Sequence, residues 1–254
     1  MIDLHCHLLP GVDDGSETVE QSVGVLGAMQ AAGITAVCLT PHHSVSRLSG
    51  GIPSVHDEQF RALEARAPKG VKLLRGVELM LDRPITPELN TRRGLTLAGT
   101  RYILVEFPRL VALPAVSAAL HQIVHLGLVP VLAHPERYRA CAPNAVRHWK
   151  ALGAVMQVDA TTLLSGRPGR GQRARELLAH GLCDIMAADN HGDDRMIGPA
   201  YRFLAEQGGE HQADLLARKN PGAILAGEPL EPVPPFAIRT RLLDRLKQLL
   251  GEEE

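Results

Sequence analysis

The chain has 254 residues, 45% of them apolar and only 3% aromatic, with a formal charge of −1. That length allows one barrel-sized α/β domain or two small ones, and the core must be built from Leu, Val, Ile and Ala. A charge this close to zero excludes a net positive field that gathers nucleic acid, and no apolar run is long enough for membrane insertion.

The four cysteines, Cys6, Cys38, Cys141 and Cys183, are scattered without a CxxC pair. They read as small buried apolar residues rather than a disulfide framework. The first residues hold Asp3 and His5 instead of a basic start and apolar stretch, so no signal peptide is expected and the location reads as cytoplasmic.

In chain order, Ile2 to Leu4 is a short apolar strand that delivers His5 and His7. At i and i+2 on a strand both imidazoles lie on one face. A Pro-Gly break follows, and Asp13-Asp14-Gly15 adds two oxygen donors at the rim. Val19 to Ala32 has helical spacing, closed by Gly33. Ile34 to Thr40 is β-rich and apolar, as a strand buried on both faces should be, and ends in Pro41-His42-His43. Ser44 to Ser54 is polar and reads as a loop, and Val55 to Ala67 as a helix. Val71 to Leu79 is a strand broken by Gly76, with Glu78 near its end.

Asp82 to Gly99 is irregular, with Pro84 and Pro87. Tyr102 to Phe107 is the next strand and carries Glu106; Pro114 to Leu126 is a helix closed by Gly127. Leu128 to Ala133 is a strand that ends in His134-Pro135-Glu136-Arg137. Pro143–Leu152, Ala154–Val158, Arg170–His180 and Leu182–Ala187 continue the alternation, and the last strand ends in Asp189-Asn190-His191. Two more helical stretches follow, and residues from about 230 to Glu254 form a tail whose Arg239–Glu254 part is amphipathic and finally acidic. Strand-like and helical runs alternate without a linker, which predicts a single parallel (β/α) barrel-like domain over residues 1–254.

The polar residues carry the chemistry. His5, His7, His42, Glu78, Glu106, His134, Asp189 and His191 each fall at or just past a strand's C-terminal end, and Asp14 joins them at the rim. In a parallel barrel these ends open on the face where active sites lie. Imidazole and carboxylate together suit a divalent metal. Nine donors exceed one ion and suit two or three ions roughly 3.5–4 Å apart. Arg137 and Arg195 follow His134 and His191 on the same rim, where guanidinium groups grip phosphate oxygens bidentately.

MIDLHCHLLPGVDDGS at the start, TPHH at Thr40–His43, GVE at Gly76–Glu78, VEF at Val105–Phe107, AHPERY at Ala133–Tyr138 and ADNH at Ala188–His191 resemble the polymerase-and-histidinol-phosphatase (PHP) superfamily. Within it they resemble the bacterial capsule- and exopolysaccharide-associated protein-tyrosine phosphatases. The likeness runs from Met1 to about Leu225, where NPGAIL matches the closing segment.

The resemblance implies a distorted (β/α)7 barrel with a trinuclear centre, usually activated by Mn²⁺, with Fe, Zn, Co or Mg as alternatives. Carried over by position, His5, His7, Glu78 and Asp189 hold one ion. Glu78 as a bridge, Glu106 and His134 hold a second, and Asp14, His42 and His191 the third. Arg137 and Arg195 match the phosphate-binding arginines. The implied activity is hydrolysis of a phosphotyrosine on a bacterial tyrosine kinase tail by in-line attack of a metal-bridging hydroxide, with any acid help from a metal, Asp14 or His43.

Two features depart from the pattern. Ser44–Pro53 lacks an extra His or Asn just after TPHH, and Asp159 stands where a neutral polar residue is expected. The alternative activity is a histidinol-phosphate or other small-ester phosphatase; a non-catalytic scaffold is the third reading. Cys141-x5-Arg147 has the bare spacing of a cysteine phosphatase, but the intervening APNAV holds a proline and no glycine. Such a segment cannot form the ring of backbone N–H groups that cradles phosphate.

Overall fold

The computed structural model describes residues 1–85, 94–165 and 167–238. The tail Arg239–Glu254 and residues 86–93 of the irregular stretch lie outside the described residues.

Among the described residues nine strands occur: β1 (Ile2–Cys6), β2 (Ala36–Leu39), β3 (His42–Ser44), β4 (Lys72–Arg75), β5 (Glu78–Met80), β6 (Tyr102–Glu106), β7 (Val129–Ala133), β8 (Val155–Asp159) and β9 (Ile185–Ala187). They form a three-stranded sheet, β1-β2-β4, and a six-stranded sheet, β3-β5-β6-β7-β8-β9, with every pair parallel. Since β2 runs on into β3 and β4 into β5, the nine strands make seven staves. Both interruptions have a local cause. Pro41 has no N–H to give to a ladder. A Cβ on Gly76 would stand 3.1 Å from both Cys38 Sγ and a Leu97 methyl, so the backbone there lies against the packed interior.

The barrel closes between its first and last staves. Cys6 bridges Asn190 in parallel, Asp189 N–H donates to His5 O at 3.0 Å and His7 N–H to Asn190 O at 2.7 Å. The loop expected over Ser44–Ser54 is more ordered than its composition suggests: Ser44 completes β3, and Val45–Gly50 is a 3₁₀ turn whose Val45 and Leu48 are buried.

Helices α1 (Val19–Ala31), α2 (Ser54–Glu64), α3 (Leu113–His125), α4 (Pro143–Ala151), α5 (Ala160–Ser165), α6 (Arg170–Ala179), α7 (Ile197–Glu206), α8 (Glu210–Asp214) and α9 (Asn220–Ala226) complete the described residues, with a π-turn over Leu215–Lys219 between the last two. Their starts follow from sequence. Thr18 accepts the Gln21 N–H as N-cap of α1, and Pro143 opens α4 where its missing N–H costs nothing. Leu26 and Met29 of α1 are fully buried, each contributing about 1.5–3 kcal/mol by leaving water.

A smaller cluster fills the barrel: Leu4, Cys38, Tyr102, Leu104, Val131, Val155, Ile185 and, from α9, Ile224. Counting by two along the staves leads from this inner core to the mouth: Cys38 to His42, Leu74 to Glu78, and Leu104 to Glu106. On β1 the count breaks. Asp3 pairs with Val37 but Cys6 with Leu39, so β1 holds one extra residue. That bulge moves the following side chains to the opposite face. Leu4 therefore packs in the inner core, Cys6 packs outside it, and His5 and His7 line the mouth.

Candidate metal centre

Two of the mouth residues reach it through unusual backbone. His134 (φ 34°) and Asp189 (φ 49°) are both left-handed without being glycine, at the ends of β7 and β9. Such conformations cost on the order of 1–3 kcal/mol each and persist only where surrounding contacts hold them. Tyr138 helps hold the first: its hydroxyl donates to Ala133 O at 3.0 Å and accepts the Phe107 N–H. Asp3, fully buried on β1, holds the second by accepting the Ala188 N–H and the His5 N–H. Burial pushes the Asp3 carboxyl up to about 7.

His5 and His7 are oriented from behind. His7 Nδ1 donates to Asp13 Oδ2 at 2.8 Å, and Asp13 also accepts the backbone N–H groups of Gly15 and His42. His5 Nδ1 donates to the Gln157 side-chain oxygen at 2.9 Å. With both protons used behind, the two Nε2 lone pairs face each other across 3.1 Å. Glu78 Oε2 lies 3.2 and 3.3 Å from these nitrogens, and Asp189 Oδ1 likewise 3.2 and 3.3 Å. Four acceptor atoms thus surround one point. Glu78 Oε2 is buried and makes no hydrogen bond.

Two neighbouring points share these residues. His42 Nδ1 stands 3.1 Å from Glu78 Oε2 and 3.2 Å from Glu106 Oε1. His7, Asp14, His42 and His191 bring one donor each together, with Asp14 Oδ1 3.4 Å from His42 Nε2 and 3.6 Å from His191 Nε2. His134 Nε2 reaches the other Glu78 oxygen at 3.1 Å. All nine sequence-predicted donors therefore meet in one mouth. The grouping differs in three places: His42 joins Glu78 and Glu106 directly, His7 faces two points rather than one, and His134 reaches only the far oxygen of Glu78, outside the three close groups of donors.

Buried acceptors without hydrogens between them demand a cation or a proton. The electrostatics carry that demand. Burial disfavours charge on His7, yet Asp13, Asp189 and Glu78 outweigh it and raise its pKa well above the ordinary value. Burial likewise opposes the shift at His42, which Glu106 and Glu78 push up to about 10. Glu78 is held well below the carboxylate range against its own burial by His5, His134 and His42. The donor set fits divalent metal, since a cation between the imidazoles and Glu78 and Asp189 would take the place of the protons that these carboxylates otherwise draw onto His7 and His42.

Arg137 and Arg195 stand where the sequence placed them, on the rim, and both face Asp189. Arg137 Nη2 donates to Asp189 Oδ2 at 2.5 Å and pairs with Asp159; Arg195 Nη1 is 3.8 Å from the same Asp189 oxygen. Asp189 thus turns one oxygen to the imidazoles and the other to the arginines. Asp159, the departure noted in the sequence, has two tasks: Oδ1 caps α5 by accepting the Thr161 and Thr162 N–H groups, and Oδ2 holds Arg137. Gln157 and Asp159 escaped the list of site residues because each acts through another residue far away in the chain. Their spacing by two on β8, facing the mouth, was the available signal.

Residues 1–226 match the family model for capsular polysaccharide synthesis proteins CpsB/CapC. The chain belongs to the CpsB/CapC family. Tyrosine-protein phosphatase YwqE of Bacillus subtilis is 32% identical over 199 residues, covering 75% of this chain and 77% of that protein. Tyrosine-protein phosphatase CpsB of Streptococcus agalactiae is 27% identical over 242 residues, covering 89% and 98%. Among solved structures, one reported with YwqE of Bacillus subtilis and CpsB of Streptococcus pneumoniae, described as metal-dependent tyrosine phosphatases, superposes with a TM-score of 0.77 at 25% identity, over 94% of this chain and all of that one. The CpsB/CapC match ends at residue 226, at the end of α9, so it spans every described element of the barrel.

Proposed function

We propose that this chain is a metal-dependent protein-tyrosine phosphatase that serves polysaccharide synthesis from the cytoplasm. Its substrate in this reading is the phosphotyrosine of a bacterial tyrosine kinase tail. The observation that carries the reading is the pair of facing imidazole lone pairs with two ionised carboxylates, set beside two arginines. The family's place in capsule synthesis and the phosphatase names of the relatives support it.

His5, His7, Glu78 and Asp189 would hold one divalent ion, His42, Glu78 and Glu106 with His134 nearby a second, and Asp14, His42 and His191 a third, with Mn²⁺ the proposed metal. Such ions lower the pKa of water and offset charge that develops on phosphoryl oxygens. The protein's own part is positional. Asp13 and Gln157 hold the two imidazoles in the tautomer that leaves Nε2 free. Arg137 and Arg195 present guanidinium donors to the equatorial phosphate oxygens and orient the ester for in-line displacement. A tyrosine phenolate, with a pKa of ~10, leaves with little acid help.

The test is direct. Metal per chain is measured, and turnover of a phosphotyrosine peptide is compared with that of histidinol phosphate, with Mn²⁺ and with chelator. Preference for the peptide, lost on chelation, is the expected result. Preference for histidinol phosphate would move the chain to the small-ester branch, and no turnover of either with metal bound would end the phosphatase reading.

A further inference from the structure

The mouth is electrically lopsided. From Phe107 to Arg175 the only acids are Glu136 and Asp159, both buried, whereas the loops after β1 and β9 expose Asp14, Glu17, Asp193 and Asp194. The same stretch carries Arg109 after β6, Arg139 after β7, and Arg167 and Arg170 before and at the start of α6, all exposed. These strands are neighbours in one parallel sheet, so the loops share the rim.

The loops are also joined. Arg139 N–H donates to Arg109 O at 3.2 Å, and Arg173 Nε donates to Glu136 O at 2.8 Å, tying α6 to the turn that bears Arg137. Beyond its partial burial, Arg170 feels the charges of Arg109, Arg137 and Arg173, which lower its pKa. Leu110, 79% exposed, sits in the same loop as Arg109, and Leu113, 42% exposed, opens α3 just beyond it. A cationic crescent with an apolar knob therefore runs from the outer rim inward to Arg137.

We infer that this crescent docks acidic residues flanking the phosphotyrosine of a peptide substrate, with Leu110 taking an apolar neighbour. The inference rests on the phosphatase reading for its substrate. Charge complementarity selects the partner: the chain as a whole is nearly neutral, so an arginine rim without exposed carboxylates favours acidic side chains locally. Continuity with Arg137 selects a peptide over a lipid surface, since a bilayer lying on this rim would cover the mouth that Arg137 lines.

Three substrates test it: para-nitrophenyl phosphate, a phosphotyrosine peptide with Asp and Glu flanks, and the same peptide with Asn and Gln flanks. The acidic peptide should have a kcat/KM on the order of 5- to 10-fold higher at low salt, with the advantage shrinking as salt screens exposed charges. The double variant Arg109→Glu, Arg139→Glu should erase that advantage and leave para-nitrophenyl phosphate turnover unchanged. Binding of the unphosphorylated acidic peptide, read by fluorescence anisotropy, gives an arm that needs no turnover. Tighter binding to the native chain than to the variant, with no ester hydrolysed, would keep the crescent and end the phosphatase reading. Equal kcat/KM and equal binding for acidic and neutral peptides overturn the crescent alone. Co-sedimentation with phosphatidylglycerol vesicles that the double variant loses, without peptide preference, also overturns it and assigns the arginines to a membrane.

Discussion

Asp189 illustrates how much one side chain carries here. Its Oδ1 faces His5 and His7 while its Oδ2 receives Arg137, so the groups proposed to hold metal and phosphate share one carboxylate. Arg137→Ala should reduce turnover by about 100-fold, as loss of one donor to a charged transition state does, with metal content nearly unchanged. Loss of metal on that substitution would show that Arg137 serves Asp189 instead. Asp159→Asn separates the two tasks of Asp159, because the amide oxygen still caps α5 while the charge that holds Arg137 is gone. Turnover should fall less than in Arg137→Ala, with the melting temperature little moved; a large drop in melting temperature would make Asp159 a structural residue. Asp13→Asn should weaken metal binding by about 10- to 100-fold, the usual effect of losing the partner behind an imidazole. Equilibrium dialysis against Mn²⁺ measures it.

At the scale of elements, the first stave and the loop after it decide the centre. The bulge in β1 turns His5 and His7 into the mouth, and the loop then folds back so that Ser16 N–H donates to His7 O at 2.9 Å. Gly15 passes so close that a Cβ there would stand 2.0 Å from His7 O, which no relaxation of a side chain can relieve. Gly15→Ala should therefore displace the segment bearing Asp13 and Asp14, lowering metal per chain while far-UV circular dichroism stays that of the folded barrel. Full metal content in that variant would mean that the loop adapts and Asp14 is dispensable. The breaks at Pro41 and Gly76 work the same way on the second and third staves. Each falls one or two residues before a donor, so the strand is interrupted just before His42 and Glu78.

For the whole molecule, a cluster of buried acceptors ties stability to pH and metal together. Without a cation, the carboxylates raise the His42 pKa from 6.5 to about 10. A folded-state pKa above the unfolded one stabilises fully below pH 6.5, and that contribution is lost as pH rises toward 10. The chelated protein should accordingly lose melting temperature between pH 6.5 and 9, and the Mn²⁺-loaded protein much less, since metal replaces the proton. Parallel calorimetric scans with chelator and with Mn²⁺ check this. A chelated protein whose melting temperature rises over that range would contradict the electrostatics of the cluster. The lopsided charge of the mouth belongs to this scale too, because the net charge of −1 hides it.

The donor residues and the alternation of strand and helix were legible in the sequence because both depend on local periodicity. An apolar run that ends in His or Glu announces a strand end whatever packs beside it, and Cys38 to His42 or Leu104 to Glu106 keep their face by counting two. What stayed hidden depends on partners distant in the chain. The His5–Gln157 pair spans 152 residues, and the Arg137–Asp189 pair 52. The extra residue in β1 leaves no compositional mark, and the left-handed turns at His134 and Asp189 use residue types that tolerate that region without announcing it. Only closure of the barrel, through Cys6 and Asn190, sets which oxygen of Glu78 or Asp189 meets which nitrogen. Chemistry was written in residue types along the chain; its geometry arises where the first and last staves meet.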